Sequence, residues 1–436
     1  LMKSFGNIAK DGQVRAVASG TLTDGKAVVV NADGTVSVVA IGAASIGSAV
    51  TFENATTAEN STAYDTANDK IVIAYRDSAN SQYNTAVVGT VSGTSISFGT
   101  PVVVSSNYHR NHSINFDTNA GKMVIVNDDT GFGNYGRARV GTVSGTSISF
   151  GSEATFYSNA VTNLGSTYDS TNNKIIIAYA DGAASNVGKA IVGTVSGTSI
   201  SFGSAATFNS GGTADISTIF DSSSNKTIIA YRDSGNSNQG TAVVATVSGT
   251  SISFGSESVF ETGVTQYTTA IYDSGNNKTN IFYMDGGDSD KGKAVIGTVS
   301  GTSISFTSPS DFYTDAGINA LTAVYDSNSA TSVIGIRGAS AYGYAIPITS
   351  DGSSFTVGSS TIITTSNYNG WAGSAFDPDQ KKVVFAYQDG DDSDKGKAQV
   401  YETPATTLTS ENYIGFSDGA FATTQSAVIN TANTID

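Results

Sequence analysis

The chain has 436 residues, 39% of them hydrophobic and 9% aromatic, with 48 glycines, 5 prolines and no cysteine. That mix suits many short strands joined by tight turns; it argues against helices and excludes disulfide staples and thiolate metal sites. A net charge of −15 repels phosphate backbones, so no nucleic-acid partner is expected. No apolar run approaches the roughly 20 residues that span a bilayer, so no membrane insertion is expected either.

Residues 1–34 read as a lead-in segment. Its start, Leu1-Met2-Lys3-Ser4-Phe5, has no apolar signal stretch, and a leading Leu suggests a fragment or a trimmed product. From Thr35 to Ile41 the sequence alternates like an outer strand, with no inner strand before it. A repeat then begins. The segment Thr-Val-Ser-Gly-Thr-Ser-Ile-Ser-Phe starts at Thr90, Thr142, Thr194, Thr246 and Thr298, each 52 residues after the last. A second signature, an aromatic followed by Asp, a polar turn and an apolar run, occurs at Tyr64, Phe116, Tyr168, Phe220, Tyr272, Tyr325 and Phe376.

One unit holds four strands. In the third copy the first strand ends at Tyr168, and Asp169-Ser170-Thr171-Asn172-Asn173 turns the chain. The run from Lys174 to Tyr179 is apolar enough for a strand buried on both faces. The stretch from Lys189 to Val195 and the alternating Ser199-Ile200-Ser201-Phe202 form a hairpin, because Gly197 permits the positive φ of a two-residue turn. Four-stranded antiparallel sheets repeated radially make a propeller. The expected fold is therefore all-β: a seven-bladed β-propeller of four-stranded blades over residues 35–402, closed by the N-terminal strand at 35–41. A linear solenoid would need polar capping repeats, and none is evident. Residues 403–436 match no part of the repeat and read as a linker or the start of a further module.

The seven copies differ mainly on one face. The turn after the first strand opens with Asp in every copy (Asp65, Asp117, Asp169, Asp221, Asp273, Asp326, Asp377), which suits turn capping. The opposite face varies. Its crossings between blades carry Tyr108, His109, Arg110 and His112, then Tyr267, then Tyr368 and Trp371, and its other loops carry Tyr83, Phe132, Tyr135 and Tyr342. Aromatic residues should not accumulate in freely drifting loops, so this face is expected to bind a ligand. Arg76, Arg232 and Arg337 close the second strand of three blades and could converge on a carboxylate, as in a sialidase-like, glycan-cleaving enzyme, which is the alternative reading. Against catalysis, only Glu59 and Glu261 are glutamates of the variable crossings. His109 and His112 lack a third metal ligand nearby. Asp285, Asp288 and Asp290, and likewise Asp389, Asp391 and Asp394, form oxygen-rich loops that could interest calcium, yet no closing glutamate follows, and a polar hairpin loop is the plainer reading. No cofactor is expected.

Residues 64–99 and 220–255, with Lys70-Ile71-Val72-Ile73-Ala74-Tyr75-Arg76-Asp77 and Gly89-Thr90-Val91-Ser92-Gly93-Thr94-Ser95-Ile96-Ser97-Phe98-Gly99 as the clearest stretch, resemble the repeats of marine bacteriophage virion proteins of the tail or fibre. Thr406 to Phe416 is similar to a junction found after such repeats. The resemblance implies a non-enzymatic structural protein on the virion, outside the cell. Its implied partners are other virion proteins and a host-surface glycan or protein, with self-association left open. It carries over no functional residue.

Overall fold

A computed structural model describes residues 13–19, 27–30, 34–38, 44–315, 317–404, 413–417 and 426–430. The protein is all-β: among the described residues the only helices are the single 3-10 turns Thr130–Phe132 and Gly182–Ala184. The chain divides into two units, one of Ser45–Thr403 and one made of the terminal segments Leu1–Ala44 and Pro404–Asp436.

Within Ser45–Thr403 the strands form seven successive antiparallel sheets. The third shows the plan: Ala154–Asp169, Lys174–Asp181, Val187–Ser196 and Ser199–Phe202, paired in that order with Tyr168 opposite Ile175, Ile177 opposite Ile191 and Val195 opposite Ile200. The second strand is apolar throughout because each of its faces meets a neighbouring sheet. In the first sheet Ile71, Ile73 and Tyr75 pack with Val384, Ala386 and Val400 of the last, while Val72 and Ala74 pack with Ile114, Phe116 and Ile125 of the second. Each such buried valine or isoleucine side chain contributes about 1.5–3 kcal/mol.

The turns follow the sequence reading. Asp65 Oδ1 accepts from the amides of Ala67 and Asn68 at 2.9 and 3.1 Å, and Asp169 repeats the pattern with Thr171 and Asn172. Gly93, Gly145, Gly197, Gly249 and Gly301 hold φ between 59° and 62° in the five Gly-Thr turns, which a side chain would resist.

Two expectations are corrected. Four of the crossings are not loops. Val50–Asp65, Val102–Asp117, Ala154–Asp169 and Ala206–Asp221 are unbroken strands that begin on the outer edge of one sheet and end as the first strand of the next. Thus Val103 lies opposite Thr85 of the first sheet, and Phe116 opposite Met123 of the second. The outer strand of the last sheet is also not Thr35 to Ile41. Val36–Val38 pairs instead with Ala27–Val30, in a five-stranded sheet with Gln13–Val17, Tyr413–Ser417 and Ser426–Asn430; residues 39–41 lie outside the described residues. The last sheet's Lys395–Glu402 pairs with Ser45–Ile46 and with the start of Val50–Asp65, placing Tyr401 opposite Ile46 and Ala398 opposite Val50.

The reason is close packing at one glycine. A Cβ on Gly99, Gly151, Gly203 or Gly255 would stand 1.8–2.0 Å from a threonine carbonyl in the next sheet's turn, and one on Gly47 would stand 1.7 Å from Thr94 O. Gly47 lies 52 residues before Gly99, in the register of the repeat, whereas the 35–41 strand has only the alternation. The boundaries accordingly move from 35 and 402 to Ser45 and Thr403, and residues of the expected C-terminal linker share a sheet with N-terminal ones.

A chain of residues 45–403 is expected to unfold in one cooperative transition, whereas one starting at residue 54 loses the outer strand of the last sheet and aggregates. Calorimetry with light scattering on the two chains checks this.

Candidate functional site

Where the chain enters the first strand of a sheet it bulges in every copy but the sixth. Register shifts fall between Ala58 and Ser61, Val161 and Leu164, Ala214 and Ser217, and Gln266 and Thr269. A bulge frees one residue from the ladder and re-aims its side chain. The residues so placed are Glu59, Asn111, Asn163, Asp215 and Tyr267, each 52 residues after the last. Glu59, Asn111, Asp215 and Tyr267 hold φ of 56°, 52°, 48° and 51°. With Asn319 and Ala372 from the last two sheets they line a central cavity of about 370 Å³, to which all seven first strands contribute. A second cavity of about 270 Å³ shares His112, Leu164, Ile216 and Thr268 with it and continues among Thr62, Ser113, Ser166 and Thr218.

The charges at this mouth are paired. Arg76 Nη1 lies 3.2 Å from Glu59, whose carboxylate also accepts the amide of Asn111 from the next sheet. Arg232 Nε lies 3.2 Å from Asp215, and the amide of Asp215 donates to Asn163 Oδ1 at 3.2 Å. Burial pushes Glu59 up to about 7 and Asp128 up to about 6, and raises Asp215. The same cause drives His112 down to about 3, so this imidazole is neutral in the folded protein. Its Nδ1 donates to Glu59 O at 3.1 Å.

The residues singled out in the sequence separate into three groups. Tyr108 is exposed and gathers two of them: Arg76 Nη1 donates to its hydroxyl at 2.8 Å, and the Arg76 and Arg110 guanidinium groups lie 5.1 and 5.9 Å from its ring centre. Tyr83 stands opposite it across the strand pair. Phe132, in the turn after the second strand of the second sheet, is 55% exposed, with Arg137 lying 5.2 Å from its ring and 5.6 Å from that of Tyr135; Thr130 Oγ1 of the same turn donates to Tyr108 O at 2.6 Å. Tyr267 is exposed and His112 lines the cavity.

Other expectations fail. Tyr368 is fully buried, stacked on Tyr387 with ring centres 5.1 Å apart, and His109 is buried with Nδ1 3.2 Å from Asp128 O. Both lie opposite the aspartate that ends the second strand, as do Thr57, Val161, Thr213 and Thr265, and all six are at most 2% exposed. That position belongs to the core in each of these copies. The side chain of Trp371 lies outside the described residues.

Each of the three arginines is held by a partner of its own: Arg76 and Arg232 pair as above, and Arg337 donates to Asn367 Oδ1 at 3.0 Å. The glutamate of the fifth crossing, Glu261, accepts from Tyr283 at 2.9 Å, but Tyr283 is fully buried, so this pair braces the sheet interior. The oxygen-rich loops are ion-paired turns. Lys293 lies 2.8 Å from Asp285 and 2.9 Å from Asp288, Lys397 lies 2.7 Å from Asp389, and Asp391 accepts the amide of Asn367. Asp290 and Asp394 hold positive φ in those turns. Among the described residues no three His, Cys, Asp or Glu side chains are grouped to hold a metal ion.

No protein-family model matches the chain, and no curated protein matches it in sequence. In structure it is similar to the BP39L lectin of Burkholderia pseudomallei, at 11% identity and a TM-score of 0.60, over 81% of this chain and 99% of that one. It is also similar to a protein of unknown function from Dyadobacter fermentans, at 9% identity and a TM-score of 0.50, over 83% of this chain and 99% of that one. At such identities the likeness is one of fold.

Two measurements check this description. Tyr368→Ser is expected to cost about 3 kcal/mol or more in urea unfolding, and Tyr108→Ser about 0.5 kcal/mol or less. The raised Glu59 favours the protonated form in the folded state. The stability this supplies is complete below the unfolded value of 4.5 and is lost as pH rises through about 7. Stability measured across that window should therefore fall less steeply in Glu59→Gln than in the natural chain.

Proposed function

We propose that Ser45–Thr403 is a closed seven-bladed β-propeller that serves, without catalysing a reaction, as a tail or fibre component of a phage particle and attaches it to a glycan on the host surface. The observation that carries this reading is the pair of exposed rings Tyr108 and Phe132, with the half-buried Tyr135 and with Arg76, Arg110 and Arg137 lying over the three rings. Rings held open to solvent by neighbouring guanidinium groups suit stacking on the apolar face of a sugar, while the arginines supply donors to its hydroxyls. The repeat's resemblance to virion proteins supports the setting, and a lectin built on the same fold supports the ligand class. The separate engagement of Arg76, Arg232 and Arg337 supports binding over glycan cleavage.

Changing Tyr108, Phe132 and Tyr135 together to Ser is expected to leave the melting transition in place and weaken attachment to host cells or to an array of surface glycans about tenfold or more. Undiminished attachment by the folded triple variant, or attachment to protein receptors alone, overturns this reading.

A further inference from the structure

The patch uses none of the central cavity, whose chemistry points to a second, more selective contact on the same face. We propose that the central cavity binds one neutral pyranose residue, a reading that rests on the glycan-binding function proposed above. Four observations lead there.

The first is size. About 370 Å³ lies near the small end of ligand pockets, which run from about 300 to 1,000 Å³, so a single ring fits the space and an extended chain does not. Charge is the second. Glu59 is paired with Arg76 and Asp215 with Arg232, and His112 is neutral, so no side chain of the lining presents an unpaired charge to select an ion.

The third is the distribution of polar groups. Leu164, Ile216 and Leu321 give the wall an apolar sector, while Asn111, Asn163 and Asn319 surround the mouth with amides that both donate and accept. A pyranose has the matching character: C–H groups on its faces and hydroxyls around its rim. The fourth concerns buried groups that the fold itself leaves unsatisfied. Thr218 and Thr268 are each 9% exposed, and their Oγ1 atoms have no hydrogen-bond partner within the protein, nor has His112 Nε2. His112 and Thr268 line both cavities, and Thr218 lines the second. Unpaired buried polar atoms are costly, and a hydroxyl-bearing ligand satisfies them.

The test uses the full chain with methyl glycosides of glucose, galactose, mannose and N-acetylglucosamine. N-acetylneuraminic acid and choline serve as charged controls, and binding is read by saturation-transfer NMR and calorimetry. Two variants accompany it: Ala372→Phe, which fills the cavity, and Thr268→Val, which removes one hydroxyl at nearly constant shape. At least one neutral glycoside should bind saturably, tenfold or more tightly than either control. Thr268→Val should weaken it about threefold or more, and Ala372→Phe, if folded, about tenfold or more. No saturable binding by the folded natural chain, preference for a charged control, or unchanged affinity in the folded Thr268→Val chain overturns the inference. Loss of host attachment in the aromatic-patch variant, with no glycoside binding by the natural chain, would sink the cavity site alone. Glycoside binding that responds to Thr268→Val, with host attachment undiminished in the patch variant, would sink the patch and keep the cavity.

Discussion

The second strand of every sheet is pressed between two neighbours, and the remaining chemistry of the repeat is fitted around that packing. Alternate residues of one strand belong to different cores: Ile71 and Ile73 face backwards to the last sheet, Val72 and Ala74 forwards to the second. Such a strand must be apolar on both sides, which is why Lys174-Ile175-Ile176-Ile177-Ala178-Tyr179 shows no polar alternation. The inner strands then approach one another where the sheets converge, and space runs short. A Cβ on Gly373 would come within 3.0 Å of Thr62 N. Small hydroxyl residues occupy this seam and tie sheets that share no backbone ladder there. Ser113 and Ser166 hydroxyls lie 2.8 Å apart, Thr322 and Ser374 hydroxyls 2.7 Å apart, and the amide of Ala270 donates to Ser217 at 2.9 Å. The polar lining of the cavity is thus first a solution to crowding.

The bulges resolve a different conflict. A side chain in the regular ladder must satisfy its cross-strand partner and the neighbouring sheet together. At the bulge that demand lapses, so one backbone position accommodates Glu59, Asn111, Asn163, Asp215 and Tyr267 in turn. Variation is concentrated where the scaffold does not need to prescribe the residue, and the resulting side chains face a common space.

How much of this could be read from the amino-acid sequence depended on whether an element was judged by its own composition or by its place in the repeat. The four strands of a unit, the aspartate-capped turns and the Gly-Thr hairpins were legible because each rests on local chemistry repeated many times. The outer strand of the last sheet was not. Val36-Ser37-Val38 alternates as well as any outer strand, and only the count of 52 residues back from Gly99 distinguishes Gly47 and its neighbours. Tyr368 and His109 were misplaced for a related reason. Judged as an aromatic and an imidazole among polar neighbours they suggest a binding loop, yet the corresponding residues Thr57, Val161, Thr213 and Thr265 share a buried site opposite a capping aspartate. The bulge residues were available by the same count. Composition alone hid them, since Glu, Asn, Asp and Tyr have nothing in common except their interval.

The junction glycine also writes the order of the sheets into the chain. At Gly47, Gly99, Gly151, Gly203 and Gly255 the next sheet offers the same tight turn, and its threonine carbonyl leaves no room for a side chain. The following position in the series is Thr307, whose amide and hydroxyl both bond to the backbone of Ile296. The sheet it precedes is the one whose corresponding turn is wider, with Asp351 gathering the amides of Ser353 and Ser354. Residue and turn have changed together. Exchange of whole copies between the early units would preserve this glycine contact, whereas importing an early unit in place of the sixth would set Thr307 against a carbonyl it cannot clear. The five near-identical copies are therefore interchangeable building stock for recombination, and the degenerate sixth acts as a keyed joint that fixes where the series must end.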